Sequence, residues 1–135
     1  MKLKPPGRLN ANDYPRIVAL WQAAGLHIRP KGRDSREAFE RQLESGIQKV
    51  IGIETRQGDL IGVVLVTHDS RKGLINRLAV HPDWRRRGLA KNLITAAEDL
   101  LHEQGIDVTA VLIEPENPAS LKLFQETGYY EWTGM

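Results

Sequence analysis

Apolar positions recur with two different periods along this chain, and the switches between them predict its elements. Apolar residues at 89, 93, 94, 97, 100 and 101 follow a 3.6-residue repeat, the mark of a helix with one buried stripe. That predicts a helix over Gly88–Gln104, stopped by Gly105. Lys49–Thr55, Leu60–His68 and Leu74–His81 are instead runs rich in Val and Ile. They are separated by "RQGD" and "DSRKG", which suit hairpin turns, so the three form an antiparallel meander.

Upstream, Ile17, Val18, Leu20 and Trp21 return to helical spacing, with Asn12 as the expected cap and Gly25 as the stop. Asp34 and Glu37 have capping-box spacing ahead of the stripe Ala38, Phe39 and Leu43, which predicts a helix within Gly32–Gly46. Met1–Pro5 reads as a short opening strand and Val108–Ile113 as a buried one. Asn117 followed by Pro118 is an N-cap and first-turn pair, starting a last helix that runs through Glu126 and closes at Gly128. The order is strand, two helices, three strands, helix, strand, helix and a short tail. No repeat or linker interrupts it, which predicts a single domain over residues 1–135.

Composition narrows the class. A chain of 135 residues buries roughly 68–70% of its unfolded surface, enough for a core without staples. Zero cysteines exclude disulfides, zinc–thiolate sites and a cysteine acyl-enzyme. No apolar run approaches the roughly 20 residues of a membrane span, and Met1–Asn10 lacks the apolar stretch of a signal peptide. The expectation is a soluble, cytoplasmic protein with no membrane partner. Nineteen basic against 17 acidic residues leave no global field favouring nucleic acid. His27, His68 and His81 lie on separate segments without metal-ligand spacing, so no metal is expected.

Local charge says more. "RRRGLAKNL", residues 85–93, puts three arginines where a helix begins, although a helix N-terminus already carries unpaired N–H groups and partial positive charge. Cations there ask for an anion, and a strand running through a basic glycine turn into a long helix is a phosphate cradle. It is neither a Walker loop nor a dinucleotide fingerprint, since GxxxxGK[ST] and GxGxxG are both absent. A solvated basic patch and a nucleic-acid patch start from the same arginines, but no aromatic platform accompanies them.

Arg85-x-x-Gly88-x-Ala90 matches the (Q/R)-x-x-G-x-(G/A) signature of the GNAT family of N-acetyltransferases, and "ENPASLKLFQETGYYE" resembles that family's later motif through Asn117, Ala119, Ser120, Leu121 and the Gly128-Tyr129 pair. The resemblance runs from Leu74 to Tyr130. It implies an α/β (α+β) fold with a mixed, mostly antiparallel central sheet flanked by helices, in the order β-α-α-β-β-β-α-β-α-β. It also implies acetyl-coenzyme A as the cofactor. The residues carried over for binding it are Leu78, Ala79, Val80, Arg85, Arg86, Arg87, Gly88, Leu89, Ala90, Lys91, Asn117, Ser120 and Phe124. In such proteins the strand Leu74–Val80 splays from Val108–Ile113, opening a cleft for the thioester.

The activity so implied is direct acetyl transfer from acetyl-coenzyme A to a primary amine. A lysine titrates near 10.4 and an α-amino group near 7.7–8.0, so a lysine acceptor needs more help from a base. Glu114 and Asn76 are the polar residues expected at the cleft, Asn76 standing where relatives often carry a carboxylate. Phe124 stands where the family often has a tyrosine acting as general acid; Tyr129 or Tyr130 is the candidate substitute, the alternative for either being a core aromatic. A thiol leaving group with pKa near 8.5 tolerates slow protonation. The alternative function is a catalytically weak acetyl-coenzyme A sensor or partner-binding module. Nothing selects the acceptor: the "RPKGRDSR" stretch either favours an acidic substrate or is simply solvated. Only "YEWTGM" follows the Gly-aromatic pair, where relatives add two strands. The expectation is that a homodimer partner or an internal rearrangement covers the strand edge left bare.

Overall fold

The computed structural model describes residues 3–113 and 117–132. Five strands form one sheet in sequence order: β1 (Gly7–Arg8), β2 (Gln48–Glu54), β3 (Leu60–His68), β4 (Gly73–Val80) and β5 (Thr109–Val111). The first four pair antiparallel, and β5 lies parallel to β4. Helices α1 (Tyr14–Ala23) and α2 (Arg36–Glu44) cover one face; α3 (Leu89–Glu103) and α4 (Pro118–Glu126) cover the other. This is the expected mixed, mostly antiparallel sheet flanked by helices.

The alternation of β2 and β3 splits their side chains between two cores, as a two-residue period requires. Val50, Val63 and Leu65 pack with Ile17, Leu20, Trp21 and Phe39 of α1 and α2. Ile51, Ile53, Val64 and Val66 pack with Leu89, Leu93, Ile94, Ala97 and Leu101 of α3 and with Phe124 of α4. The five buried residues of α3 keep the 3.6-residue stripe read from the sequence. Glycines 25, 46, 105 and 128, expected as stops, all have left-handed backbone.

Four local expectations are corrected. The opening strand is not Met1–Pro5: Leu3 makes an isolated bridge to Thr55, and regular pairing begins only at Gly7. Pro5 and Pro6 have no N–H to donate to the ladder. The cap expected at Asn12 falls instead on Asn10, which caps the 3₁₀ turn Ala11–Asp13 leading into α1; α1 itself follows Asp13 with no side-chain cap. Asn10 accepts the Asn12 N–H at 2.8 Å, and Asp13 reaches back to the Asn10 N–H at 2.8 Å, closing a capping box over a 3₁₀ turn. Asn12 lies inside that turn and gives its own N–H to Asn10. The second helix starts at Arg36, capped by Ser35, whose hydroxyl accepts the Ala38 N–H at 3.1 Å; Asp34 is drawn elsewhere.

The fourth correction concerns β5, which is shorter and less buried than Val108–Ile113 suggested. Its three residues are half-buried, Val108 and Leu112 beside it are 59% and 86% exposed, and no strand pairs with its outer edge among the described residues. The expected sixth strand is likewise absent among the described residues: no strand follows α4, and Tyr129–Trp132 are irregular.

Candidate functional site

Two adjacent strands part where the sequence placed a cleft. β4 and β5 pair only through Gly73↔Thr109, Leu74↔Ala110 and Ile75↔Val111. Beyond Ile75 the β5 side of β4 has no strand partner among the described residues. On its other side β4 continues along β3, but the register slips by one residue: Leu65 opposes Asn76, whereas Val63 opposes Ala79. The extra residue makes a β-bulge around Arg77, which sits at φ +53, left-handed backbone that is uncommon for a residue with a side chain.

The bulge resets the alternation. Arg77, like Asn76 opposite Leu65, turns toward the α1–α2 side, while Leu78 and Val80 pack toward α3. The His81 N–H donates to the Ile61 carbonyl at 2.8 Å. Successive N–H groups of a strand point to opposite edges, so those of Val80 and Leu78 face the open edge and that of Ala79 faces β3. Of Leu78, Ala79 and Val80, only Leu78 and Val80 thus have main-chain N–H groups on the open edge. The sequence signal for the bulge was the doublet Asn76-Arg77 inside an apolar alternation, two polar residues in a row where one was due.

The strand then enters a 3₁₀ turn, Pro82–Trp84, in which the His81 ring accepts the Asp83 N–H at 3.1 Å. Arg86 at φ +64 and Gly88 at φ +77 bend the chain into α3. No side chain caps that helix, so the first-turn N–H groups at Leu89, Ala90 and Lys91 point outward without an intrahelical acceptor. A Cβ on Gly88 would meet no protein atom within 4 Å; the glycine is there for its backbone angle, and the space before it is open. A cavity of about 330 Å³ lies here, lined by Val80, Trp84, Arg85, Arg86, Leu89 and Lys91 among others.

Its charges are arranged rather than merely clustered. All three arginines are exposed. Arg85 directs one Nη2 donor to the Ala24 carbonyl at 3.3 Å, tying the turn to the end of α1. The Arg87 guanidinium stacks 4.7 Å over the Trp84 ring, a contact that holds its charge beside the cavity. Lys91 lies 3.3 Å from Glu126 of α4. A helix N-terminus open to solvent, two left-handed residues and guanidinium groups with no carboxylate partner among the described residues make a donor set suited to a polyphosphate.

The remaining predicted residues separate. Asn76 donates to the Thr67 hydroxyl at 3.3 Å, and its amide oxygen, beside the bulge, has no partner among the described residues. Asn117 caps α4 by accepting the Ser120 N–H at 3.1 Å, which gives both residues a local role in starting that helix. Phe124 is only 3% exposed and packs edge-on to Tyr129 with ring centroids 5.1 Å apart. It belongs to the core, and its neighbour Leu123 lines the cavity instead, a residue sequence reading passed over. Glu114 lies outside the described residues.

Tyr129 does not face the opening. Its hydroxyl donates to Glu98 of α3 at 2.7 Å and lies near Thr109, which pairs with Gly73 at the closed end of the strand fork. Burial, then the bond and charge of Glu98, push its phenol well above the usual range. Tyr130 is 79% exposed. Among the described residues no three His, Asp or Glu side chains gather as a metal-ligand group, and no helix is long and apolar enough to cross a membrane.

The sequence profile of the acetyltransferase (GNAT) family matches residues 15–129. An acetyltransferase of Sodalis glossinidius is 27% identical over 118 residues, covering 87% of this chain and 81% of the relative. One from Yersinia pseudotuberculosis is 28% identical over 118 residues, covering 87% and 82%. Among solved structures, AAC(6')-Iy in complex with a bisubstrate analogue, CoA-S-monomethyl-acetylneamine, superposes with TM-score 0.83 at 21% identity, covering 100% of this chain and 95% of that one. A ribosomal-protein-alanine N-acetyltransferase from Brucella melitensis has TM-score 0.74 at 20% identity, covering 99% and 96%.

Proposed function

The chain belongs to the acetyltransferase (GNAT) family, and from that membership we propose that it is an N-acetyltransferase moving an acetyl group from acetyl-coenzyme A directly onto a primary amine. When bound, that cosubstrate supplies the activated acetyl thioester. The observation that carries the reading is one continuous edge of main-chain donors. It runs from Leu78 and Val80 on unpaired β4, through left-handed Arg86 and Gly88, to the uncapped start of α3.

In this reading the N–H groups of Leu89, Ala90 and Lys91 receive the pyrophosphate, and Arg86 and Arg87 add charge-assisted bonds. Arg85 uses one guanidinium donor on Ala24 and keeps the others for the ligand. The Leu78 and Val80 N–H groups hold the acyl end, where a preoriented donor stabilises the charge that grows on the carbonyl oxygen, typically by a few kcal/mol. Asn76 cannot take up a proton; its amide oxygen orients the incoming amine. Glu114 is the base we assign. With no cysteine in the chain, transfer proceeds without a cysteine acyl-enzyme.

Calorimetric titration with acetyl-coenzyme A tests the cradle. Saturable binding is expected, weakened roughly 10- to 100-fold, about 1.4–2.7 kcal/mol, in the Arg85→Ala, Arg86→Ala, Arg87→Ala triple variant. Absence of wild-type binding at millimolar concentration would overturn the reading. A second reading, a weakly catalytic acetyl-coenzyme A-binding module, is favoured by the core position of Phe124 and the commitment of Tyr129 to Glu98. Thiol release against a panel of amines separates the two. The panel must span classes, since proteins of this fold include one solved with an acetylneamine analogue and one named for a ribosomal-protein alanine.

A further inference from the structure

The left-handed residue at the heart of the β4 bulge is held by its own side chain. Arg77 Nη2 donates to both carboxylate oxygens of Asp34, at 2.9 and 2.7 Å, and Nη1 donates to the His27 carbonyl at 3.0 Å. Its guanidinium lies 4.9 Å over the ring of Trp21, which is 1% exposed on α1. The pair is withdrawn from water, with side-chain exposures of 13% for Arg77 and 7% for Asp34. Asp34 is fastened in turn: it accepts the Arg29 N–H at 2.6 Å, Arg33 Nε stands 3.7 Å away, and its carbonyl takes the Tyr14 hydroxyl.

A buried ion pair is a poor means of stabilising a fold, because desolvation offsets its attraction and apolar residues often serve as well. What it provides is direction. A planar guanidinium held at both nitrogens fixes the orientation of its own Cα, and that Cα belongs to a residue in sparsely populated backbone geometry. The next residue along is Leu78, whose N–H turns to the open edge only because the bulge inserts Arg77 before it. Without the extra residue the alternation shifts and a different set of N–H groups faces the cleft.

We propose that Arg77, clamped by Asp34, is a positioning residue: it holds the β4 bulge so that the Leu78 and Val80 N–H groups face the acyl end of the bound cosubstrate, and it couples that geometry to the segment between α1 and α2. The proposal rests on the acetyl-transfer reading above. Its consequence is selective. Losing the clamp leaves the phosphate cradle intact, since Arg86 through Lys91 hang on α3, and disturbs only what depends on the acetyl group.

Backbone amide NMR of ¹⁵N-labelled protein, titrated with acetyl-coenzyme A and separately with coenzyme A, reads both ends of the edge without needing an acceptor. In the wild type both ligands move the amides of Gly88 to Lys91, and acetyl-coenzyme A alone further moves Leu78 and Val80. In Asp34→Asn, and in Arg77→Met, which keeps an unbranched side chain but has no guanidinium to clamp, the cradle shifts persist while the acetyl-specific shifts at Leu78 and Val80 fall by about half or more. Two variants are used so that one that fails to fold leaves the other. Unchanged acetyl-specific shifts in a folded variant overturn the proposal, as does their absence from the wild type while its cradle amides respond. Silent cradle amides in the wild type overturn the acetyl-coenzyme A reading itself.

Discussion

The two walls of the cleft are built on different principles. One wall, Leu78 to Lys91, presents main-chain donors from a single continuous stretch of strand, turn and helix, backed by the buried stripe of α3. The other is β5 with α4: three paired residues, apolar neighbours open to water at Val108 and Leu112, and side chains absorbed into local tasks such as the Asn117 cap and the Tyr129–Glu98 bond. A function carried by backbone tolerates changes of side chain and leaves a compact motif. A function carried by side chains from separate segments leaves no such trace, and its chemistry has to be found in space.

That contrast is sharpest in stability. Leu93 is fully buried beneath the cradle, and Leu93→Ala is expected to cost about 2–5 kcal/mol in denaturant unfolding. Leu112→Ala on the opposite wall, 86% exposed, should stay within about 0.5 kcal/mol. Comparable losses at the two sites would erase the distinction between a packed and an open wall.

A smaller effect separates capping from ligand binding. Asn117→Ala removes the α4 cap and should lower stability by roughly 1 kcal/mol, with acetyl-coenzyme A affinity by calorimetry unchanged. A loss of affinity beyond about threefold would move Asn117 into the cofactor site and make the second wall more like the first.

The smallest effect is at Tyr129. Tyr129→Phe deletes the bond to Glu98 and is expected to cost about 0.5–1.5 kcal/mol, with no change in turnover near neutral pH. Because burial and Glu98 hold the folded phenol above the ordinary tyrosine value of 10.0, the folded state keeps a proton that the unfolded state releases. Its contribution to stability is fully present below pH 10.0 and is lost as pH rises toward the folded value. Melting temperatures from pH 9 upward should therefore fall more steeply in the wild type than in the variant. A shifted neutral pH–rate profile would instead put Tyr129 in proton transfer.

How much of this could be read from the chain follows the same division. The α3 stripe, the Val- and Ile-rich meander and the Gly88 turn were legible because period and turn chemistry are local properties. The capping residues were misassigned by a few positions, since Asn10, Asn12, Asp34 and Ser35 all have the right chemistry and neighbours decide between them. Asn12 lies inside the turn that Asn10 caps, and Arg77, distant in sequence, draws Asp34 away from the helix that Ser35 caps. Leu123 rather than Phe124 lines the cavity although the α4 bounds were read as found, because both residues are apolar and only packing decides which of two neighbours on a helix enters the core.

By itself, then, the amino-acid order determined most of the elements, their succession, the family and the glycine turn ahead of α3, because each depends on residues within one or two helical turns of one another. Tertiary structure alone decided three things. β5 stops pairing after Val111; one inserted residue at Arg77 chooses which β4 amides face the opening; and a carboxylate 43 positions away holds that residue in place. Each is a question of register or long-range contact, where a displacement of one residue reverses which groups meet, and no local propensity is large enough to settle it.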